Sequence, residues 1–275
     1  MILVTGATGN VGAPLVRALA EAGEPVRAMN RSGRADGLPA GVSAVAGDLD
    51  RPETVRGALD GVRAVFLMPG YAGQRQILAD ARAAGVERVV MLSGGSAGTG
   101  NTGNAVAGHL IAAEESVRAS GLEWTFLRAR SFMSNALRLA GQIAAGDEVR
   151  VPFPDVRTAD VDPYDIARCA LHALLSREYG GRALELTGPE ALLPADRVRI
   201  LGEVLGRELR TIGLDHEEAR VALEARMPKP YVDAFFDFFV DGSLDESVVH
   251  PTVREVTGRA PRTFEEWARA HADAF

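Results

Sequence analysis

The sequence holds a single cysteine, Cys169, in 275 residues. A lone cysteine excludes an internal disulfide and a cysteine-rich metal site. No other spacing of ligating residues suggests a metal site, so none is expected. Positive charge is also short: 30 Lys and Arg stand against 37 Asp and Glu, a net charge of −7. Such a chain lacks the basic footprint that nucleic acid or an anionic membrane requires. No apolar run reaches the roughly 18 residues of a membrane span. The start, Met1-Ile2-Leu3-Val4, reads as a strand rather than a signal segment, so a cytoplasmic location is expected. Aromatics are scarce and unevenly spread: only Phe66 and Tyr71 lie in the first 120 residues, and the other 14 of 16 lie in the last 155. The two halves are therefore expected to do different jobs.

What is present is an ordinary globular balance of 47% apolar and 24% charged residues. Short apolar runs at Ile2–Thr5, Pro25–Met29, Ser43–Ala46, Ala64–Met68, Arg88–Ser93 and Trp124–Arg128 read as strands. Between them Ala13–Ala22, Glu53–Leu59, Gln74–Ala84 and Val106–Ser120 have helical spacing. This alternation predicts an α/β fold built on a doubly wound parallel sheet. Asp50 and Glu53 stand at capping-box spacing, as do Thr263 and Glu266. Residues 1–130 are expected to form a nucleotide-binding core. Residues 131–275 are expected to form a smaller C-terminal α/β substrate lobe, with segments at about 150–185 returning to the core sheet.

The most informative stretch is Thr5-Gly6-Ala7-Thr8-Gly9-Asn10-Val11-Gly12, which follows a strand and opens a helix. In that context Gly6 serves a tight turn, Gly9 lets backbone N–H groups approach a pyrophosphate, and Gly12 lets helix and strand pack closely. At the end of the second strand the chain reads Asn30-Arg31, without the acidic residue that binds a ribose 2′-hydroxyl in NAD sites. Arg31 suits a 2′-phosphate, with Arg34 as a helper, so NADP(H) is the expected cofactor.

The spacing GxxGxxG resembles the short-chain dehydrogenase/reductase superfamily. The likeness is closest to the atypical, NmrA-like branch that includes NADPH-dependent quinone and triphenylmethane reductases. It is carried by Thr5–Gly12, Val26–Arg31, Gly47-Asp48-Leu49, Val89–Ser93, Gly121–Asn135 and Asp162–Ala167, and it covers most of the chain. The resemblance implies a Rossmann core. Asp48 and Leu49 would lie against the adenine, although Asp48 equally suits a turn cap. Leu67, Met68 and Pro69 would flank the cofactor ribose. The loop with Arg130, Ser131, Phe132 and Met133 would touch nicotinamide and substrate.

Many members carry a Tyr-x-x-x-Lys pair on the helix after the fifth strand. Aligned on Glu114, this chain has Val106 and Leu110 at those places, and neither moves a proton. Ser93 and His109 remain as candidate catalytic groups. Hydride transfer to a quinone-like acceptor needs no such pair, because the acceptor takes its proton from water. The stretch Ser93–Gly108 holds six glycines and reads as a mobile flap or as a loop without a role. Phe235 and Phe239 share a helical face, suited to stacking on a planar ring or to a lobe core. The expected activity is NADPH-dependent hydride transfer to a planar, apolar, conjugated small molecule such as a quinone, by a monomer or homodimer. A non-catalytic NADP-sensing regulator and a pathway-specific biosynthetic reductase or isomerase are the alternatives.

Overall fold

A computed structural model describes all 275 residues, Met1–Phe275. In chain order its elements are β1 (Ile2–Val4), α1 (Gly12–Glu21), β2 (Val26–Asn30), β3 (Ser43–Ala46), β4 (Ala64–Leu67), α2 (Gln74–Ala83), β5 (Arg88–Gly94), α3 (Ala105–Ala119), β6 (Glu123–Ala129), α4 (Ala140–Ala145), β7 (Glu148–Val151), α5 (Pro163–Leu175), β8 (Arg182–Leu186), α6 (Pro194–Leu205), β9 (Arg210–Gly213), α7 (His216–Glu224), α8 (Lys229–Phe239), α9 (Thr252–Thr257) and α10 (Phe264–Ala270). Contacts divide the chain into two compact units. Met1–Ala97, His109–Ala129 and Pro163–Glu185 form one; Gly98–Gly108, Arg130–Asp162 and Leu186–Phe275 form the other.

The first unit is built on a seven-stranded sheet of order β3-β2-β1-β4-β5-β6-β8. Strands β1 to β6 all pair in parallel. Its strands are apolar on both faces, as helix cover on both faces requires: β4 and β5 are buried almost throughout. One face packs Leu3, Leu67, Val89 and Phe126 under Ile77, Leu78 and Val117. On α5, the fully buried Ile166, Ala170 and Leu174 recur at the spacing of one helical stripe, and the helix packs on α1 and on β4, β5 and β6. The strand order reverses between β1 and β4, which places a crevice at their carboxyl ends.

One expected helix is not formed. Glu53–Leu59 makes two short 3₁₀ turns, Pro52–Thr54 and Arg56–Leu59. The cause is local. The Asp50 N–H donates to the Asp48 carboxylate at 3.1 Å, and Glu53 pairs with Arg51 at 3.3 Å, so the Asp50–Glu53 capping box is absent. Gly57 then lowers the helical propensity of the second turn.

The second unit pairs β7 and β9 in parallel. Its core gathers Ile143, Val149, Val198, Leu201, Phe264 and Trp267. Thr263 and Glu266 form the expected capping box: the Thr263 N–H donates to Glu266 at 2.8 Å and the Glu266 N–H to Thr263 at 3.2 Å. Asp215 and Glu218 cap α7 in the same way. No helix of the chain is long and apolar enough to cross a membrane.

Candidate cofactor and substrate sites

The turn after β1 is held between its two neighbouring strands. The Thr5 N–H donates to the Phe66 carbonyl at 3.0 Å, and the Ala7 N–H to the Met29 carbonyl at 3.2 Å. The Thr5 hydroxyl accepts from the Met68 N–H at 2.9 Å. These bonds bring Gly6–Gly12, Asn30 and Met68 to one crevice. Gly6 has φ +61°, and a Cβ at Gly12 would fall 2.1 Å from the Gly6 carbonyl oxygen, so neither position tolerates a side chain. Gly6, Thr8, Gly9 and Asn10 are exposed, whereas Val11 and Gly12 are buried. Helix α1 has no side-chain cap and no acidic residue in its first turn. The Ala13 N–H is taken by the Gly9 carbonyl at 3.0 Å and Pro14 has no N–H, so it is the exposed turn before the helix, backed by the positive end of the helix dipole, that faces an anion such as a pyrophosphate. The crevice therefore fits a dinucleotide.

Asn30 is engaged within its own turn. Its amide oxygen accepts from the Ser32 N–H and hydroxyl at 3.1 and 2.9 Å, and its amide nitrogen donates to the Arg34 carbonyl at 2.9 Å. Asn30 thereby shapes the segment that presents Arg31, which is exposed and carries no partner. Arg34 pairs with Asp36 at 2.6 Å, which offsets its charge. One oxygen of Asp48 is taken by the Asp50 N–H, a turn-capping role. Leu49 and Leu67 lie in the core, while Met68 and Pro69 are half-buried at the end of β4.

Of the two catalytic candidates, Ser93 is buried and donates to Oε1 of Glu114 at 2.8 Å. Glu114 also accepts from Nε and Nη2 of Arg128 at 2.9 and 2.8 Å, and from Arg118 at 2.9 Å. Burial alone would raise the Glu114 pKa. The hydrogen bonds of Arg128 and Ser93 and the two arginine charges outweigh it and hold the carboxyl below its ordinary value. Ser93 thus belongs to a buried ionic network. His109 is exposed, and its ring lies against the backbone of Gly70, just beyond β4. Cys169 is buried, and desolvation, with the charge of Asp165, pushes its thiol up to about 12, far from a nucleophilic thiolate.

The glycine-rich stretch is hydrogen-bonded at its C-terminal end. After a 3₁₀ turn at Gly95–Thr99, the Asn104 side chain accepts from the Val106 and Ala107 N–H groups at 3.0 and 3.1 Å and caps α3. Its amide nitrogen donates to Asp237 at 2.7 Å and to the Ala234 carbonyl at 3.1 Å, tying the stretch to α8.

Arg130, Ser131, Phe132 and Met133 belong to the second unit. The Ser131 N–H donates to Glu246 at 3.3 Å, and the Ser131 carbonyl accepts from Val161 at 2.8 Å. Burial raises the pKa of Glu246, and the neighbouring Asp160 charge adds to the rise. Met133, expected as a pocket wall, is instead core, 1% exposed, because its backbone pairs with Val161 and its side chain turns inward. Phe132 bridges Val161 and does not line the cavity described next. Within this unit lies a cavity of about 790 Å³. That size suits a small-molecule ligand. Phe239 lines it, whereas Phe235 stands behind, stacked on Phe239 at 5.9 Å. Phe153 also lines it and was not expected. Its placement between Pro152 and Pro154 was the available signal for a fixed, unusual backbone. It is the only non-glycine residue with positive φ, +51°, and its ring meets Phe236 and Phe239 edge-on at 5.2 and 5.3 Å. No group of three or more His, Cys, Asp or Glu is placed to hold a metal ion.

Comparison with known proteins agrees with this geometry. The family described as NAD(P)H-binding matches residues 6–177. A (4-alkanoyl-5-oxo-2,5-dihydrofuran-3-yl)methyl phosphate reductase from Streptomyces griseus is 39% identical, over 100% of this chain and 99% of its own. An NAD(P)H azoreductase from Xenophilus azovorans is 36% identical, over 100% and 99%. Among solved structures, an NADPH-dependent quinone oxidoreductase from Escherichia coli, complexed with NADPH, superimposes with a TM-score of 0.81 at 22% identity, over 98% of this chain and 99% of its own.

Proposed function

Because the chain belongs to the NAD(P)H-binding family, we propose that it reduces a planar, conjugated acceptor with NADPH. That it is an NAD(P)H-dependent oxidoreductase follows from the family and from its full-length relatives. The choice of acceptor and of NADPH over NADH is the proposal.

When bound, the cofactor supplies hydride from its reduced nicotinamide. The chain's own residues do the rest. Gly6–Gly12 and the start of α1 hold the pyrophosphate. Arg31 pairs with the 2′-phosphate, and Asn30 fixes the turn that presents it. The observation that carries the choice of acceptor is the engagement of Ser93 by Glu114 at 2.8 Å; matching Glu114 to the family's glutamate, which sets Val106 and Leu110 at the places of a proton-transferring pair, supports the same reading. The single lysine of the chain, Lys229, pairs with Asp233 on α8 at 3.0 Å. A ketone needs a proton delivered to its oxygen as hydride arrives. A quinone, an azo group or an unsaturated lactone accepts hydride at a conjugated centre and takes its proton from water. The names of the two full-length relatives, an azoreductase and a reductase of an oxo-dihydrofuran, fit acceptors of this kind.

The test is NADPH oxidation, followed by absorbance, with quinones, azo dyes, unsaturated lactones and simple ketones. Turnover of conjugated acceptors without turnover of ketones is expected. Ketone reduction at comparable kcat/KM would overturn the reading. Cofactor binding with no turnover of any acceptor would overturn it in favour of a cofactor-sensing regulator.

A further inference from the structure

The cavity in the second unit is unusual for an apolar-substrate pocket because of its charge. Its wall is apolar, with Leu139, Val151, Phe153, Leu223, Met227 and Phe239 among its lining. Its charged lining is four arginines, Arg138, Arg150, Arg197 and Arg226, against a single carboxylate, Asp160.

The four arginines are not equivalent. Arg197 is spent on Asp160: its Nη1 lies 3.1 Å from the carboxylate, and both side chains are largely buried. Arg197 also donates to the Thr158 hydroxyl and to the Leu192 carbonyl. Arg150 pairs with Glu218 at 2.8 Å across an exposed surface, a bond of little worth. Arg138 and Arg226 are exposed and pair with no carboxylate. Arg138 follows the loop after β6, and Arg226 follows α7, so the two come from separate parts of the unit to the same cavity. In a chain of net charge −7, two unpaired guanidinium groups at one apolar cavity mark it as a site for an anion attached to an apolar body.

The wall adds a second observation. Phe153 holds a left-handed backbone, φ +51°, a conformation that L-residues rarely adopt. Residues held in such conformations cluster at ligand clamps. Its ring is fixed there by the edges of Phe236 and Phe239. Phe236 is itself covered by the Arg220 guanidinium, 4.2 Å from the ring centroid. Phe153 and Phe239 thus present a packed aromatic wall, which suits a flat or chain-like apolar body rather than a sugar.

We propose that this cavity takes an amphipathic anion: an acceptor whose apolar part rests on Phe153 and Phe239 and whose phosphate- or sulfonate-type group is held by Arg138 and Arg226. This rests on the reductase reading above and narrows it, because a neutral quinone would leave both arginines unused.

The test compares 1,4-naphthoquinone-2-sulfonate with 2-methyl-1,4-naphthoquinone, in the wild type and in Arg138→Ala, Arg226→Ala and the double variant. Each acceptor takes a hydride from NADPH and a proton from water to give its hydroquinone. The expected result is a rise of about tenfold in KM for the sulfonate per arginine removed, with the KM of the neutral quinone and the Kd of NADPH unchanged. Inorganic phosphate should compete with the sulfonate in the wild type and lose that effect in the double variant. Calorimetric titration of the sulfonate in the presence of NADP⁺ provides a readout free of turnover. If the sulfonate binds in an arginine-dependent way but no acceptor is reduced, the cavity assignment stands and the reductase reading falls. If both quinones are reduced alike and the arginine variants change neither, the cavity assignment falls and the reductase reading stands. Circular dichroism of the double variant separates loss of the anion site from loss of the fold.

Discussion

The Ser93 hydroxyl donates to Oε1 of Glu114 at 2.8 Å, and the same carboxylate receives two bonds from Arg128. Glu114 is 1% exposed, so these partners replace its water. Removing its charge strands the half-buried Arg128. Glu114→Gln is therefore expected to cost about 3–5 kcal/mol in denaturant unfolding. Ser93→Ala removes one bond of several and is expected to cost about 1 kcal/mol. The pH dependence has a definite sign. A carboxyl whose folded pKa lies below its unfolded value of about 4.3 contributes stability above that pH. That contribution fades as pH falls toward the folded pKa. Tm of the wild type should drop below about pH 4.3 more steeply than Tm of Glu114→Gln. Equal slopes would show that Glu114 is not held in its charged form.

His109 meets Gly70 in a comparable fixed contact. Gly70 has φ +80°, and a Cβ there would fall 1.7 Å from Nε2 of the imidazole. Gly70→Ala should therefore both strain the backbone and displace His109. His109→Ala relieves the clash but not the strain. The single Gly70→Ala variant is expected to lose about 2 kcal/mol or more, and the double variant to recover roughly half of that. If His109 contributes to turnover, Gly70→Ala lowers kcat as His109→Ala does. Additive stability losses in the double variant would place the ring elsewhere.

The glycine turn after β1 was legible because its geometry is backbone geometry. Gly6, Gly9 and Gly12 are required by close approach, and close approach depends on spacing along one turn, which a sequence displays directly. Strand alternation was legible for a similar reason, since β4 and β5 are apolar on both faces. The Glu53–Leu59 segment was misread because helical spacing says nothing of which carboxylate takes which N–H. There the Asp50 N–H went to Asp48. The arginines of the cavity were invisible for another reason. Arg138, Arg197 and Arg226 lie far apart in sequence and differ only in which carboxylates the fold sets beside them, and ion pairing is a property of the tertiary structure. Met133 shows the same limit, because a methionine in a loop reads alike whether it faces a ligand or, as here, the core.

Under the proposed reading Arg31 selects the cofactor. It stands exposed and unpaired just after β2, while Arg34 is offset by Asp36 at 2.6 Å. Arg31→Ala should weaken NADPH by roughly 10- to 100-fold, the worth of hydrogen bonds to a charged group. NADH binding should be unchanged, and Arg34→Ala should weaken NADPH less than Arg31→Ala does. Fluorescence titration of both reduced cofactors measures this directly. Equal weakening of NADH and NADPH by Arg31→Ala would mean that the arginine supports the loop rather than the phosphate.

Gly12 provides the sharpest test of the crevice itself. A single methyl group there would sit 2.1 Å from the Gly6 carbonyl oxygen and 2.8 Å from its carbon. These are backbone atoms in a turn bonded to both flanking strands, so they have little room to withdraw. Gly12→Ala is expected to cost about 1–3 kcal/mol through overpacking and to reopen the turn that the pyrophosphate needs. NADPH affinity should fall at least tenfold, for both cofactors alike, since the pyrophosphate is common to them. Gly57→Ala is the matched control: the added methyl meets nothing within 4 Å, and the site lies in a 3₁₀ turn away from the crevice. It should leave cofactor affinity unchanged and hold or slightly raise Tm. A Gly12→Ala protein that binds NADPH as the wild type does would show that the phosphates are held elsewhere.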